Sequence, residues 1–294
     1  AGAFHLSHFD FSGRDEQELK NLAPTEAHRV ASLRFNLAED LLIRATLIQL
    51  ASEDHQLVVS LHHIIGDRGS LLVLNAELYR IYSALVAATE PELTALSTQF
   101  PDFAHWKNQR PVPEKSLTYW RETLSGELPV SALPFNRPRR AEATFSGESI
   151  IGSLTPEDSD RVRELARSLG TTANVVLLAA YQALLLRYSA QKALTVGTPV
   201  SIRDRTELEN MIGFLNETVV LRSQFNDPAE TFRAFVGRVK QQVEAALEHK
   251  DVSFDELVNY LQPVRVSGSN PLFQNMFIYN AQAKVAEQHA NLTV

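Results

Sequence analysis

The chain has 294 residues, enough for one large domain or two modest ones, and it carries a net charge of −7 with no cysteine. That excludes disulfides and thiolate metal sites, and the acidic balance without a long Lys/Arg block argues against nucleic acid as a partner. A hydrophobic fraction of 44% and a charged fraction of 21% are those of a globular protein. No apolar run reaches the length of a membrane span, and the opening residues lack a signal-peptide pattern. The expected setting is therefore cytoplasmic, away from the membrane, and the missing cysteines fit a reducing compartment.

Along the chain, Ile43, Ala45, Leu47 and Gln49 alternate as in a strand, and "HQLVVSLHHII" at 55–65 reads as a second strand, the two forming a hairpin. Residues 70–87 place Leu71, Leu74, Leu78, Ile81, Tyr82 and Leu85 at helical spacing, with Ser70 as N-cap. Residues 109–147 contain Pro111, Pro113, Pro129, Pro134 and Pro138 around one short helical piece near "KSLTYWRETL". Proline restricts itself and its predecessor, so this stretch reads as a crossover between two lobes, joined near 130–145. The basic cluster "NRPRR" at 136–140 reads as a solvated linker. Next, "TPEDSDRVRELARSLG" at 155–170 has Thr155 to cap it, Pro156 for the first turn and Gly170 for the stop. Residues 173–189 are apolar nearly all round, as in a buried helix. Strands are expected at 194–200, 217–222 and 272–280, and an amphipathic helix opening at Asp227-Pro228. The class is α/β or α+β.

The stretch "LVVSLHHIIGDRGSLLVL" at 57–74 carries the densest chemistry. If the strand runs through them, His62 and His63 point to opposite faces and cannot chelate one metal together. No acid or histidine cluster elsewhere has metal-ligand spacing, so no metal site is expected. Two strand-end histidines are one reading. The other gives one imidazole proton-transfer work and leaves its neighbour structural, because an imidazole titrates near cellular pH. Asp67, where the chain turns, is either a cap or the partner of an arginine. His249 is expected at a helix C-terminus and His105 as a packing or surface residue, with Trp106, Trp120, Met276 and Phe277 in the core.

"HHIIGDRGS" resembles the HHxxxDG motif of the condensation domains of nonribosomal peptide synthetases, in the chloramphenicol-acetyltransferase-like superfamily. In family order, "FPDFAHW" (100–106), "GTPVSIRDR" (197–205), "MIGFLNETVVLR" (211–222), "HKDVSFDEL" (249–257) and "SNPLFQNMF" (269–277) resemble its other segments. The resemblance implies an α/β (α+β) fold of two chloramphenicol-acetyltransferase-like lobes in a V-shaped pseudo-dimer: residues 1–135 a partial N-terminal lobe, 136–294 a partial C-terminal lobe. It also implies that segments are missing at both ends. The implied reaction is amide formation between a donor acyl or peptidyl thioester and the amine of an acceptor aminoacyl thioester. The implied partners are the upstream and downstream carrier proteins and a neighbouring adenylation domain. No cofactor is bound intrinsically, the substrates riding on the carriers' 4'-phosphopantetheine.

By the same resemblance His63 is the central catalytic histidine, acting as base or as electrostatic support. His62, Asp67 and Arg203 support it, and Arg68, Gly69, Ser70, Asn216 and Glu217 are motif and tunnel candidates. Arg68 and Gly69 replace the family's glycine and usual tryptophan, Glu217 its asparagine and Ser253 its proline. Starter or release-type variants, a silent domain that recruits carriers or a tailoring enzyme, and a free-standing acyltransferase are the alternatives.

Overall fold

A computed structural model describes residues 4–134, 147–225, 227, 229–264 and 268–280. In chain order the elements are β1 (Leu6–Asp10), α1 (Glu16–Ala31), β2 (Ile43–Gln49), β3 (His55–Leu61), a 3-10 turn (His63–Ile65), α2 (Arg68–Val86), α3 (Phe100–Gln109), α4 (Glu114–Thr123), α5 (Pro156–Ser168), α6 (Ala173–Ser189), β4 (Ala193–Ser201), α7 (Thr206–Glu209), β5 (Asn216–Gln224), α8 (Phe232–Glu248), α9 (Phe254–Leu261) and β6 (Asn275–Met276). Helices and strands are mixed throughout. The described residues fall into two compact units, one of residues 4–107 with Arg203–Leu215, the other of Asn108–Ile202 with residues 216–280.

In the first unit the strands run β1-β2-β3. The expected hairpin is present: β2 and β3 pair antiparallel from Ile43 opposite Leu61 to Gln49 opposite His55, and β1 adds in parallel. α1 packs against β2 and β3, burying Ala23 and Val30. It opens on Asp15, whose carboxylate accepts from the Glu18 N–H at 2.8 Å, with Glu16 and Glu18 at the positive end of the helix. Neither β1 nor α1 is expected from the sequence.

In the second unit the order is β5-β4-β6, with β4 and β5 antiparallel and β4 and β6 parallel. Each sheet thus carries one antiparallel pair and one parallel pair. α6 lies against α5, α8 and β4, and buries Val175, Val176, Leu178, Ala179, Leu185 and Leu186. Thr155 caps α5 through the Asp158 N–H at 3.0 Å, and Gly170 takes φ +60° just beyond it, the left-handed conformation that a side chain would strain. Trp120 is 1% exposed and donates its indole N–H to the His249 carbonyl at 2.9 Å. His249 is the C-terminal cap residue of α8; it stacks on Tyr119 at 4.3 Å and reaches the Ser116 hydroxyl at 3.0 Å through Nδ1. Its place is structural. Ser253, the departure from the family's proline, caps α9 in a reciprocal capping box with Glu256.

Several expectations are corrected. α2 begins at Arg68 with Asp67 as its N-cap, so Ser70 is the third residue of the helix. α8 is capped by Thr231 rather than opened at Asp227; Pro228 lies outside the described residues. The strand expected over 272–280 shrinks to Asn275–Met276; at its start the Asn270 side chain takes the Leu272 and Phe273 N–H groups. Trp106 is 39% and Met276 41% exposed; Trp106 carries the Arg205 guanidinium 5.0 Å over its ring. Phe277 is partly buried and packs against the core, with Tyr181 as ring partner. The basic cluster at 136–140 and residues 135–146 of the expected lobe junction lie outside the described residues. No single helix among the described residues is long and apolar enough to cross a membrane.

Candidate functional site

β3 ends at Leu61, so the two histidines stand beyond it and the alternation rule does not apply to them. His62 is extended and caps the 3-10 turn that His63 begins. The Ile64 N–H donates to His62 Nδ1 at 3.1 Å, which leaves that nitrogen unprotonated and its proton on Nε2. The His62 ring also meets Phe35 edge-on at 5.9 Å, and Arg44 covers Phe35 at 4.1 Å. His62 is thereby fixed as part of the turn.

His63 has the opposite tautomer. Its Nδ1 lies 2.8 Å from the Gly66 carbonyl oxygen, which can only accept, so Nδ1 carries a proton. The lone pair of the neutral ring is then on Nε2. The ring is exposed and meets Phe214 at 5.2 Å between centroids with planes 68° apart. The Gly66 bond survives protonation of Nε2, because Nδ1 donates in both states. A Cβ on Gly66 would lie 2.3 Å from Leu61 Cδ2, so a side chain there would push the Leu61 end aside.

Behind the turn is a buried polar cluster within the first unit. Asp67 is 2% exposed. Its Oδ1 accepts from the Ser70 N–H at 2.8 Å, the Ser70 hydroxyl at 2.8 Å and Arg203 Nη2 at 2.6 Å; its Oδ2 accepts from the Leu215 N–H at 3.0 Å. Arg203 Nη1 donates to the carbonyls of Leu208 (2.8 Å) and Met211 (2.6 Å), at and just beyond the end of α7, where helical carbonyls lack partners of their own. The Ser70 oxygen accepts from the Gly213 N–H at 3.0 Å and lies 2.8 Å from the Gly213 carbonyl. One carboxylate, one hydroxyl and one guanidinium thus fix 203–215 against the start of α2. Asp67 is both the cap and the arginine partner that the sequence left as alternatives.

Burial alone would raise the Asp67 carboxyl, but hydrogen bonds from the Ser70 N–H, Arg203 and the Ser70 hydroxyl outweigh it and hold the group below its ordinary 3.8. A carboxyl depressed in the fold contributes stability that is fully present above its unfolded value, near 3.9, and lost as pH falls through the folded value. The urea midpoint is expected to drop below about pH 4, with a shallower drop in Asp67→Asn. Equal acid slopes in the two proteins would contradict this.

Gly69 is a close-approach glycine rather than a turn glycine. A Cβ there would stand 2.5 Å from Arg203 Nε and 3.1 Å from Cζ, and the guanidinium is pinned by its carbonyls and by Asp67. The guanidinium fills space that a side chain at 69 would need. Gly69→Ala should cost about 1–3 kcal/mol in chemical denaturation, as overpacking does. An unchanged midpoint would show that Arg203 moves aside freely. Arg68 is the first residue of α2 and faces solvent, a position where the helix dipole gives a cation no support. Asn216 and Glu217 begin β5 in the second unit, opposite Ser201 and Val200. Gly66, Gly213, Phe214 and Leu215 belong to the site, although sequence reasoning does not single them out. The "GF" pair inside the 211–222 motif is the available signal. Among the described residues no three His, Asp or Glu side chains group as metal ligands.

The Condensation domain family model matches residues 1–293, and the chain belongs to that family. The chain is similar to gramicidin and tyrocidine synthases and to a phosphinothricin tripeptide synthetase. It is 39% identical over 250 residues to a linear gramicidin synthase of Brevibacillus parabrevis, covering 84% of this chain and 3% of that protein. It is 35% identical over 276 residues to the phosphinothricin tripeptide synthetase PhsC of Streptomyces viridochromogenes, covering 90% of this chain and 25% of that protein. The chain therefore spans only a small part of these relatives. Among solved structures, the X-domain from teicoplanin biosynthesis matches with a TM-score of 0.81 at 28% identity, covering 92% of this chain and 60% of that one. A four-domain nonribosomal peptide synthetase bound to AMP and glycine shares the fold, with a TM-score of 0.85 at 21% identity over 97% of this chain and 21% of that one.

Proposed function

We propose that this domain forms an amide bond between a donor acyl or peptidyl thioester and the amine of an acceptor aminoacyl thioester, both carried on the phosphopantetheine arms of carrier proteins. The observation that carries the reading is the His63 tautomer: the Gly66 carbonyl holds Nδ1–H and leaves Nε2 as an exposed acceptor. The acceptor amine attacks the thioester carbonyl carbon while Nε2 takes the proton the nitrogen sheds. The C–N bond forms, the C–S bond breaks, and the imidazolium returns the proton to the departing thiolate. The Gly66 bond to Nδ1–H supports the imidazolium between these steps. An α-amine has a reference pKa of about 7.7–8.0, so part of it is already neutral near pH 7 and proximity supplies much of the rate.

Loaded donor and acceptor carriers mixed with the full-length protein should give an acceptor whose intact mass rises by the donor acyl group. Carrier binding without any mass gain, over several donor and acceptor pairs, would contradict the proposal. The teicoplanin X-domain supports a second reading, recruitment of a partner protein, because that domain is also known in complex with OxyB. The same mixing experiment separates the two, since a recruiting domain binds and does not transfer.

A further inference from the structure

Phe214 is a large apolar ring left 42% exposed, yet its backbone is held on both sides. The preceding Gly213 donates its N–H to the Ser70 oxygen, which also lies 2.8 Å from the Gly213 carbonyl, and the following Leu215 N–H donates to Asp67 Oδ2. A Cβ at Gly213 would meet the Phe100 ring at 2.1 Å, so a side chain there would displace that ring. The ring so placed meets His63 near edge-on at 5.2 Å. The bond to Cβ and the Gly66 hydrogen bond at Nδ1 hold adjacent corners of the imidazole, and the Phe214 ring meets the imidazole as a third contact. A contact on the ring face or edge limits the rocking that those two points leave and so narrows where Nε2 points.

We propose that Phe214 is a positioning residue that orients the His63 imidazole, and that the Asp67–Ser70–Arg203 cluster acts on His63 through it. This deepens the amide-forming reading and rests on it for its consequence in rate. It accounts for a surface aromatic tied at both neighbours to a buried ion pair. It also gives that ion pair a route to a histidine it does not itself hydrogen-bond in the structure.

The test uses full-length protein with selectively 13Cε1-labelled histidine, the His63 signal being identified by its loss in His63→Gln. Phe214→Ala, Phe214→Leu and Phe214→Tyr are compared with wild type. The wild-type His63 ring-proton signal should be displaced by the phenyl ring current, the displacement vanishing in Phe214→Ala and Phe214→Leu and persisting in Phe214→Tyr. The single-turnover amide rate should fall about three- to tenfold in the first two at an unchanged half-saturating acceptor concentration, the size expected for one aromatic pair. Phe214→Tyr should stay near wild type. Should Phe214→Ala fail to fold, the Leu and Tyr variants carry the comparison. An unmoved His63 signal in the non-aromatic variants would overturn the proposal. So would an unchanged rate, or a change confined to the half-saturating concentration. If wild type transfers nothing, the His63 signal still decides the positioning, and the failure falls on the functional reading.

Discussion

Asp67→Ala should lower the unfolding free energy by about 3–5 kcal/mol, because it leaves the Arg203 guanidinium desolvated without its carboxylate. The Arg203 side chain is only 11% exposed, and its carboxylate partner 1%. The same substitution removes the N-cap of α2 and strands the Leu215 N–H, so three losses fall on one residue. Asp67→Asn keeps a capping oxygen and a volume, and should cost less. Pairing Asp67→Asn with Arg203→Met removes both charges and should recover part of the loss, since a buried ion pair is expensive chiefly when half of it remains. Guanidine denaturation of wild type, Asp67→Ala, Asp67→Asn, Arg203→Met and the double variant measures this. A double variant less stable than the sum of the singles would contradict it.

His63→Ala should slow amide transfer by about 10²–10⁴-fold with the fold intact. The side chain is exposed and its hydrogen bond to Gly66 is local, so little stability rests on it. The matching change at His62 should act differently. That ring takes the Ile64 N–H and packs on Phe35, so His62→Ala loosens the turn and lowers stability and rate together. A rate loss without a stability loss is the mark of the histidine that touches the reacting atoms.

Much of the second unit is legible because its signals are local. Thr155, Pro156 and Gly170 mark both ends of α5, and an unbroken apolar run marks α6 as buried. The β2–β3 hairpin is legible from alternation. α1 is not, for it carries Pro24 and buries only Ala23 and Val30, so its apolar stripe is thin. β1 is half exposed along its length and depends on its parallel partner, which sequence order does not reveal. The start of α2 is easily misread because aspartate and serine both cap well. In "DRGS" each caps the other's backbone, and only the tertiary demand of Arg203 and Leu215 on the carboxylate assigns the cap to Asp67.

In the site, the residue types are readable from the motif, and the pairing of Asp67 with Arg203 follows from the resemblance. What the motif cannot carry is the break of β3 at Leu61, which takes the histidines out of the strand. Nor can it carry the tautomers, which depend on backbone groups two and three residues away. Gly69 shows the same limit. Its role is set by a guanidinium 134 positions further along the chain, so composition suggests a turn where the structure has a contact.

The most direct test of the central claim is a rapid-quench single-turnover experiment on wild type and His63→Ala at full length, with thermal midpoints matched. The acceptor carrier is read by intact mass over time. Wild type should transfer the donor acyl group, and His63→Ala should do so at least about a hundredfold more slowly. Equal rates in the two proteins would leave amide formation to proximity alone and contradict the assignment of His63 Nε2 as the base.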